Sequence, residues 1–216
     1  MSFFKPFIGS LAVFVAVLAG SSFWYSGTGQ PMNATEIAGY LEAIAAQDQV
    51  PGGRLDLDDL RAFMEADDGR PVFTVNRYRF NAIADYPAGS GYSGTGLEAY
   101  DRFAAVMVPL MLARGSHPAF GSRVDAEAGN DWDRIVIVRY RSRRDLVDLF
   151  ATDAFAEGSI HKWASSSAID RMIVDGRTIP DGRMMITLIA IIAGLGMWIG
   201  LTAWRGRRPK DRKNPI

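Results

Sequence analysis

The chain has no cysteine. That excludes disulfides, thiolate catalysis, zinc ribbons, iron–sulfur clusters and covalently attached c-type haem. It has only two histidines, His117 and His161, far apart in the chain and in no compact metal-binding spacing. There is no surplus of positive charge, because 24 Lys and Arg balance 24 Asp and Glu. The balance is uneven along the chain: residues 26 to 182 carry 16 basic and 23 acidic side chains, a net of −7. An acidic block of that kind lacks the basic footprint that nucleic-acid binding needs, so no nucleic acid is expected as a partner. The Gly-rich stretch at 89–96 is no phosphate loop, since it lacks the Gly-Lys-Ser/Thr ending. No internal repeat is present.

Two long apolar runs bracket this acidic block. The first, 7–25, holds 19 uncharged residues and closes on Phe23, Trp24 and Tyr25. As a helix it would reach about 28 Å, close to the hydrocarbon thickness of a bilayer, with the aromatics at the interface. The small residues at 19–22 leave open a cleaved signal peptide instead of a signal anchor. The second run, 184–204, holds 21 uncharged residues, and helices of soluble cores are seldom apolar all round at that length. Arg205, Arg207, Arg208, Lys210, Arg212 and Lys213 follow it against one acid, Asp211. Such a flank predicts a cytoplasmic carboxyl terminus. The expected topology is two spans in an inner or plasma membrane, both termini cytoplasmic and the middle extracytoplasmic, with the lipid bilayer as first partner. Ala12, Ala16 and Gly20 fall on one helical face of the first run. Gly196 and Gly200 form a GxxxG in the second, with Ala190 and Gly194 one register away. Faces of this kind let helix backbones pack closely, so they are candidate helix-packing residues.

The expected domain plan is a membrane helix over 1–25, a linker and short helical subdomain over 26–69, a main domain over 70–182, a second membrane helix over 183–204 and a basic tail over 205–216. Within the subdomain, Ile37, Leu41 and Ile44 repeat at helical spacing, as do Leu57, Leu60 and Phe63–Met64 across 57–66. The Val-Pro-Gly-Gly turn separates them. In the main domain, β-branched and aromatic residues over 71–80 predict a strand. A long loop follows at 81–96, then a helix over 97–114, a strand over 117–124, a turn, a strand over 135–140, a helix over 143–163 and a strand over 169–174. Asp175-Gly176 also allows the last strand to be half of a terminal hairpin. The order β-α-β-β-α-β is that of a ferredoxin-like α+β domain. The stretch 135–138 is apolar at both parities, so both sheet faces should be covered, the outer one by a second copy of the sheet.

Asn76, Phe80, Tyr100, Gly115, Trp132, Asp133, Tyr140, Ser142, His161 and Lys162 give about 110 residues of the chain a pattern that resembles the dimeric α/β-barrel superfamily. The pattern is most similar to the small-protein family catalogued as domain of unknown function 1330. The chain departs from that family in its apolar runs, its extra helices and its extended loop. The resemblance implies a cavity between sheet and helices, which in that superfamily holds a small aromatic molecule or haem. The polar residues placed to line it are Asn76, Tyr78, Arg79, His117, Arg139, Tyr140 and His161. His161 would serve as base or axial ligand, or else as a helix-end hydrogen-bonding group. Arg77, Arg79, Arg139 and Arg141 would clamp a carboxylate, or else pair with local acids such as Asp131, Asp133 and Asp145. Tyr86 and Tyr92 would form a lid or a docking surface. No metal site, cofactor or catalytic set is called for by the residues themselves. The favoured expectation is therefore a non-catalytic accessory or assembly subunit of a larger membrane complex, or a homodimer. The alternative is a membrane-tethered enzyme or sensor that binds a small molecule, of cofactor-free oxygenase, isomerase or haem-binding type.

Overall fold

The computed structural model describes residues 4–47, 56–124, 131–176 and 182–206, with side chains described from 11 to 202 within those ranges. In chain order the elements are α1 (Phe4–Ser26), α2 (Ala34–Ala45), α3 (Leu57–Glu65), β1 (Val72–Phe80), α4 (Gly96–Ala113), β2 (His117–Arg123), β3 (Arg134–Tyr140), α5 (Arg143–Phe150), α6 (Asp153–Ser165), β4 (Ser166–Val174) and α7 (Gly182–Gly206). The result is a mixed α+β fold with one four-stranded antiparallel sheet, in the order β2-β3-β1-β4, and seven helices among the described residues. The turns expected near 48–53 and 125–131, and the cations from Arg205 onward, fall largely on residues or side chains outside those described.

Local chemistry explains the helix starts. Asn33 and Thr95 each head a capping box, with Glu36 and Glu98 reaching back to the cap N–H. Where one helix is expected over 143–163, the structure has two. Thr152 stops the first and starts the second: its hydroxyl donates to Leu149 O (2.8 Å) and accepts from Phe155 N (3.2 Å). Such local side-chain bonds compete with continuous helix.

Register decides the two faces of the sheet. Thr74, Asn76 and Tyr78 on β1 lie opposite Val138, Val136 and Arg134 on β3, and their side chains face α4, α5 and α6. Val72, Tyr78, Val138, Tyr140, Tyr100, Phe103, Met107, Met111, Leu146, Val147, Leu149 and Phe150 form the core, which Ile37, Leu41, Ile44, Leu60 and Met64 of α2 and α3 join. The other face carries Val75, Ile135 and Ile137, half-buried, with Met172 and Phe120 about half exposed. The end of α1 lies on this face at Arg139 and His117, and the apolar residues beyond stay partly open.

α1 and α7 are apolar helices of different standing. Gly182–Thr202 is long and apolar enough to cross a membrane, with a mean hydropathy of 2.2 and none of its residues buried. α1 is 23 residues long, but its side chains are described from Leu11 on, and the described stretch Leu11–Ser26 is by itself too short to test for a span. Among the described residues, one helix meets the span criterion where two were expected.

Candidate functional site

A partly open cavity of about 70 Å³ lies between the inner sheet face and the helices. It is several times the space that one water needs. Its walls are mostly aromatic and aliphatic: Tyr100, Phe103 and Met107 from α4, Leu149 and Phe150 from α5, Phe155 from α6, and Val136 and Val138 from β3. The polar lining is Thr74, Asn76, Tyr78, Tyr140, Lys162 and Arg171, with Tyr100 from the helix side. A few convergent polar groups in an apolar cavity are the usual make-up of a small-molecule site.

Three of the seven residues expected from the sequence therefore meet in this cavity: Asn76, Tyr78 and Tyr140. The Asn76 amide donates to Thr74 Oγ1 (2.9 Å) and Val136 O (3.3 Å), which fixes its orientation. Burial pushes the Tyr140 phenol up to about 12 and raises Tyr78 further. Tyr100 is raised by burial as well. All three phenols thus stay protonated at neutral pH.

The other four candidates are placed elsewhere. Arg79 donates to Asp131 O (2.7 Å) and pairs with the Asp131 carboxylate (2.8 Å) on the outer sheet face. Its neighbours follow suit, Arg77 pairing with Asp170 and Arg141 with Asp145. Local ion pairs, not a carboxylate clamp, account for these arginines. Arg139 and His117 form a socket for the end of α1. Arg139 donates to Tyr25 O (3.1 Å) and Gly115 O (3.2 Å), and its guanidinium lies 3.7 Å from the centre of the Tyr25 ring. His117 stacks on Tyr25 with centroids 5.9 Å apart. Trp24 Nε1 donates to Leu112 O (3.0 Å). At Gly115, with φ +65°, an added Cβ would run into Trp24 O, so the close approach of α1 requires glycine.

His161 belongs to a loop clamp. Tyr86 Oη lies 2.8 Å from its Nδ1, and Arg102 donates to the same Tyr86 oxygen (3.2 Å). A Tyr86 O–H donated to Nδ1 fits a neutral imidazole with its proton on Nε2. Burial, then the nearby Arg102 charge, holds the His161 pKa below its ordinary value, which agrees. Tyr92 meets the same ring edge-on at 4.6 Å. The loop is strapped to the end of α6 by Asn81 N to Ser165 O and Asp85 N to Ala164 O, both 2.9 Å. Tyr86 and Tyr92 thus pack on His161 instead of closing the cavity.

Sequence reasoning missed Lys162 and Arg171 as cavity residues. A signal was available for the first: Lys162 is the only lysine between Lys5 and Lys210, in a chain that otherwise uses arginine throughout that span. Its amine sits over Phe103 (5.6 Å) and Trp163 (5.0 Å). Burial, reinforced by the Arg171 charge, pushes its pKa down to about 7. The helix-packing candidates Ala12, Ala16 and Gly20 are exposed on α1. A Cβ added at Gly20, Gly196 or Gly200 would meet nothing within 4 Å.

No protein-family profile matches the chain, and no curated protein matches it. Two solved structures are similar in fold: the methylated RPA0582 protein, and the RPA0582 protein of unknown function from Rhodopseudomonas palustris, a structural genomics target. Each is 19% identical with a TM-score of 0.52. The alignments cover 59% and 58% of this chain and 96% of each of the others. At that identity the likeness shows the fold alone.

Proposed function

We propose that the chain is a membrane-anchored protein whose ferredoxin-like domain stands outside the cytoplasm and binds a small, mainly apolar organic molecule between sheet and helices. The observation that carries this reading is the aromatic-walled cavity in an otherwise packed core. Protein interiors seldom leave such a space. The anchoring part rests on the fully exposed apolar surface of α7, on the apolar α1, and on the six cations that follow the second run. The outer sheet face, with Val75, Ile137 and Met172, suits a second copy of the domain, so the reading includes a homodimer.

Filling the cavity tests the binding half. Ala104, half-buried on its wall, is expected as Ala104→Phe to abolish saturable one-to-one binding of probes such as phenol or indole to the full chain in nanodiscs. The added volume should cost about 1–3 kcal/mol of stability. Unchanged probe binding in a folded Ala104→Phe protein would sink the reading. The absence of cysteine makes topology equally direct to test. Ala88→Cys in the exposed loop should react with a membrane-impermeant maleimide on intact cells, and Asn214→Cys should react only after lysis. The reverse pattern would overturn the orientation.

A second reading, an accessory or assembly subunit of a membrane complex, is favoured by the exposed small-residue faces on α1 and α7. It predicts a stoichiometric membrane-protein partner on purification in mild detergent. A lone dimer would count against it.

A further inference from the structure

We propose that the molecule held in this cavity is a small monocarboxylate with an apolar body, its carboxylate lying between Lys162 and Arg171. This rests on the cavity-binding reading and says what charge the ligand carries. The argument begins from charge balance in the lining. The lining residues include two cations and no Asp or Glu. Elsewhere in the described structure, Arg77, Arg79, Arg114, Arg134, Arg141 and Arg144 face carboxylates within 4.0 Å, while Arg102 and Arg139 donate to carbonyl oxygens and Arg143 lies over the Phe63 ring. Among the described residues, neither Lys162 nor Arg171 has such a partner. The Lys162 amine lies over the Phe103 and Trp163 rings, and Arg171, exposed on β4, lies 5.9 Å from the centre of the Phe150 ring at the cavity edge. Ring contacts soften the cost of a desolvated cation but do not neutralise it.

The remaining titratable groups facing Lys162 give no negative charge. Tyr78 comes from β1, Tyr140 from β3 and Tyr100 from α4, and all three phenols are held neutral by burial. Arg171 of β4 adds positive charge. On α6 itself, the neighbouring His161 supplies no negative charge and is turned to the loop clamp. The cavity is thus a positive site with neutral O–H groups and hydrophobic walls. A carboxylate would accept charge-assisted hydrogen bonds from both cations, and an apolar body would fill the space beside Phe103 and Phe155.

Proton linkage gives the test its specificity. In the empty protein the Lys162 amine loses its proton near neutral pH. A bound anion holds that proton on, so binding near pH 8 should take one up.

The experiment titrates the full chain in nanodiscs with isobutyrate and benzoate, and in parallel with isobutyramide and benzamide. The expected result is saturable one-to-one binding of a carboxylate at least tenfold tighter than its amide. Calorimetry at pH 8 in two buffers of different ionisation enthalpy should show uptake approaching one proton. Affinity should fall at least tenfold from pH 6.5 to pH 9. Lys162→Met and Arg171→Gln should each weaken carboxylate binding at least tenfold and leave amide binding within threefold. Amides binding as tightly as carboxylates, with no proton uptake, would overturn the anionic assignment while leaving the cavity reading intact. If neither class binds while phenol or indole does, the assignment is likewise overturned. If none of these probes binds, both fall together.

Discussion

Asp145→Ala is expected to lower the stability of the full chain by about 3 kcal/mol, in the range seen when one partner of a buried ion pair is removed. Asp145 is buried, and its carboxylate accepts from Arg141 Nε (3.0 Å), Arg141 Nη2 (2.5 Å) and Ser142 Oγ (2.6 Å). The carboxylate in turn holds the Arg141 guanidinium pKa above its ordinary value. Arg141 is only 24% exposed at its side chain, so losing the acid leaves a charge that solvent reaches poorly. The same guanidinium donates to Trp24 O (3.2 Å), and its stem fills the space beside Gly27 and Gly115. The damage should therefore spread to the docking of α1. For a chain of this size the loss corresponds to a melting shift of about 6–12 °C. Tryptophan fluorescence in mild detergent would read it, because Trp24 sits in the socket. A shift below about 2 °C would mean that Arg141 is held mainly by the α1 carbonyl and that the pair contributes little.

Lys162→Met should act in the opposite direction and raise stability at neutral pH by about 1–3 kcal/mol, since one unit of pKa shift corresponds to about 1.4 kcal/mol. The residue is half-buried by its surface but densely surrounded at its amine. Its open side makes the lower part of that range the expectation. The pH dependence follows from the direction of the shift, from an ordinary 10.5 down to about 7. Between those values the unfolded chain holds a proton that the folded chain has released. Wild-type stability therefore climbs as pH rises through that window. Below about pH 7 both states are charged, and the folded state bears the full cost of the buried ammonium. The advantage of Lys162→Met should be largest at pH 7 and below and should vanish towards pH 10.5. Denaturant midpoints at pH 6.5, 8 and 9.5 would show it. A gap that stays constant across those pH values would mean that Lys162 remains charged and solvated in the folded protein.

The strands and most helices were legible because each carries a one-dimensional signal. β1 alternates, Ile37, Leu41 and Ile44 repeat at helical spacing, and Asn33 and Thr95 announce helix starts three residues before a glutamate. The break at Thr152 was not legible, because the apolar pattern runs through it and only the hydroxyl bonds decide it. Of the candidate site, the polar residues were legible as a set, but their partition was not. Arg139 and Tyr140 are adjacent in sequence and point to opposite sheet faces. His161 and Lys162 are neighbours on one helix, about 100° apart around its axis. One clamps a loop and the other lines the cavity.

By itself the sequence determined where the apolar runs lie, the alternation of helix and strand that yields an α+β domain, and that cysteine chemistry is excluded. These follow from composition and from periodicity along the chain, which need no knowledge of what packs on what. Only the tertiary structure decided that Arg139 and His117 hold α1, that His161 serves the loop, and that Lys162 and Arg171 meet beside Tyr78 and Tyr140. Those assignments depend on strand register and helix rotation, and on which acids happen to lie within reach. A pairing such as Arg77 with Asp170 exists only between residues brought together from distant parts of the chain.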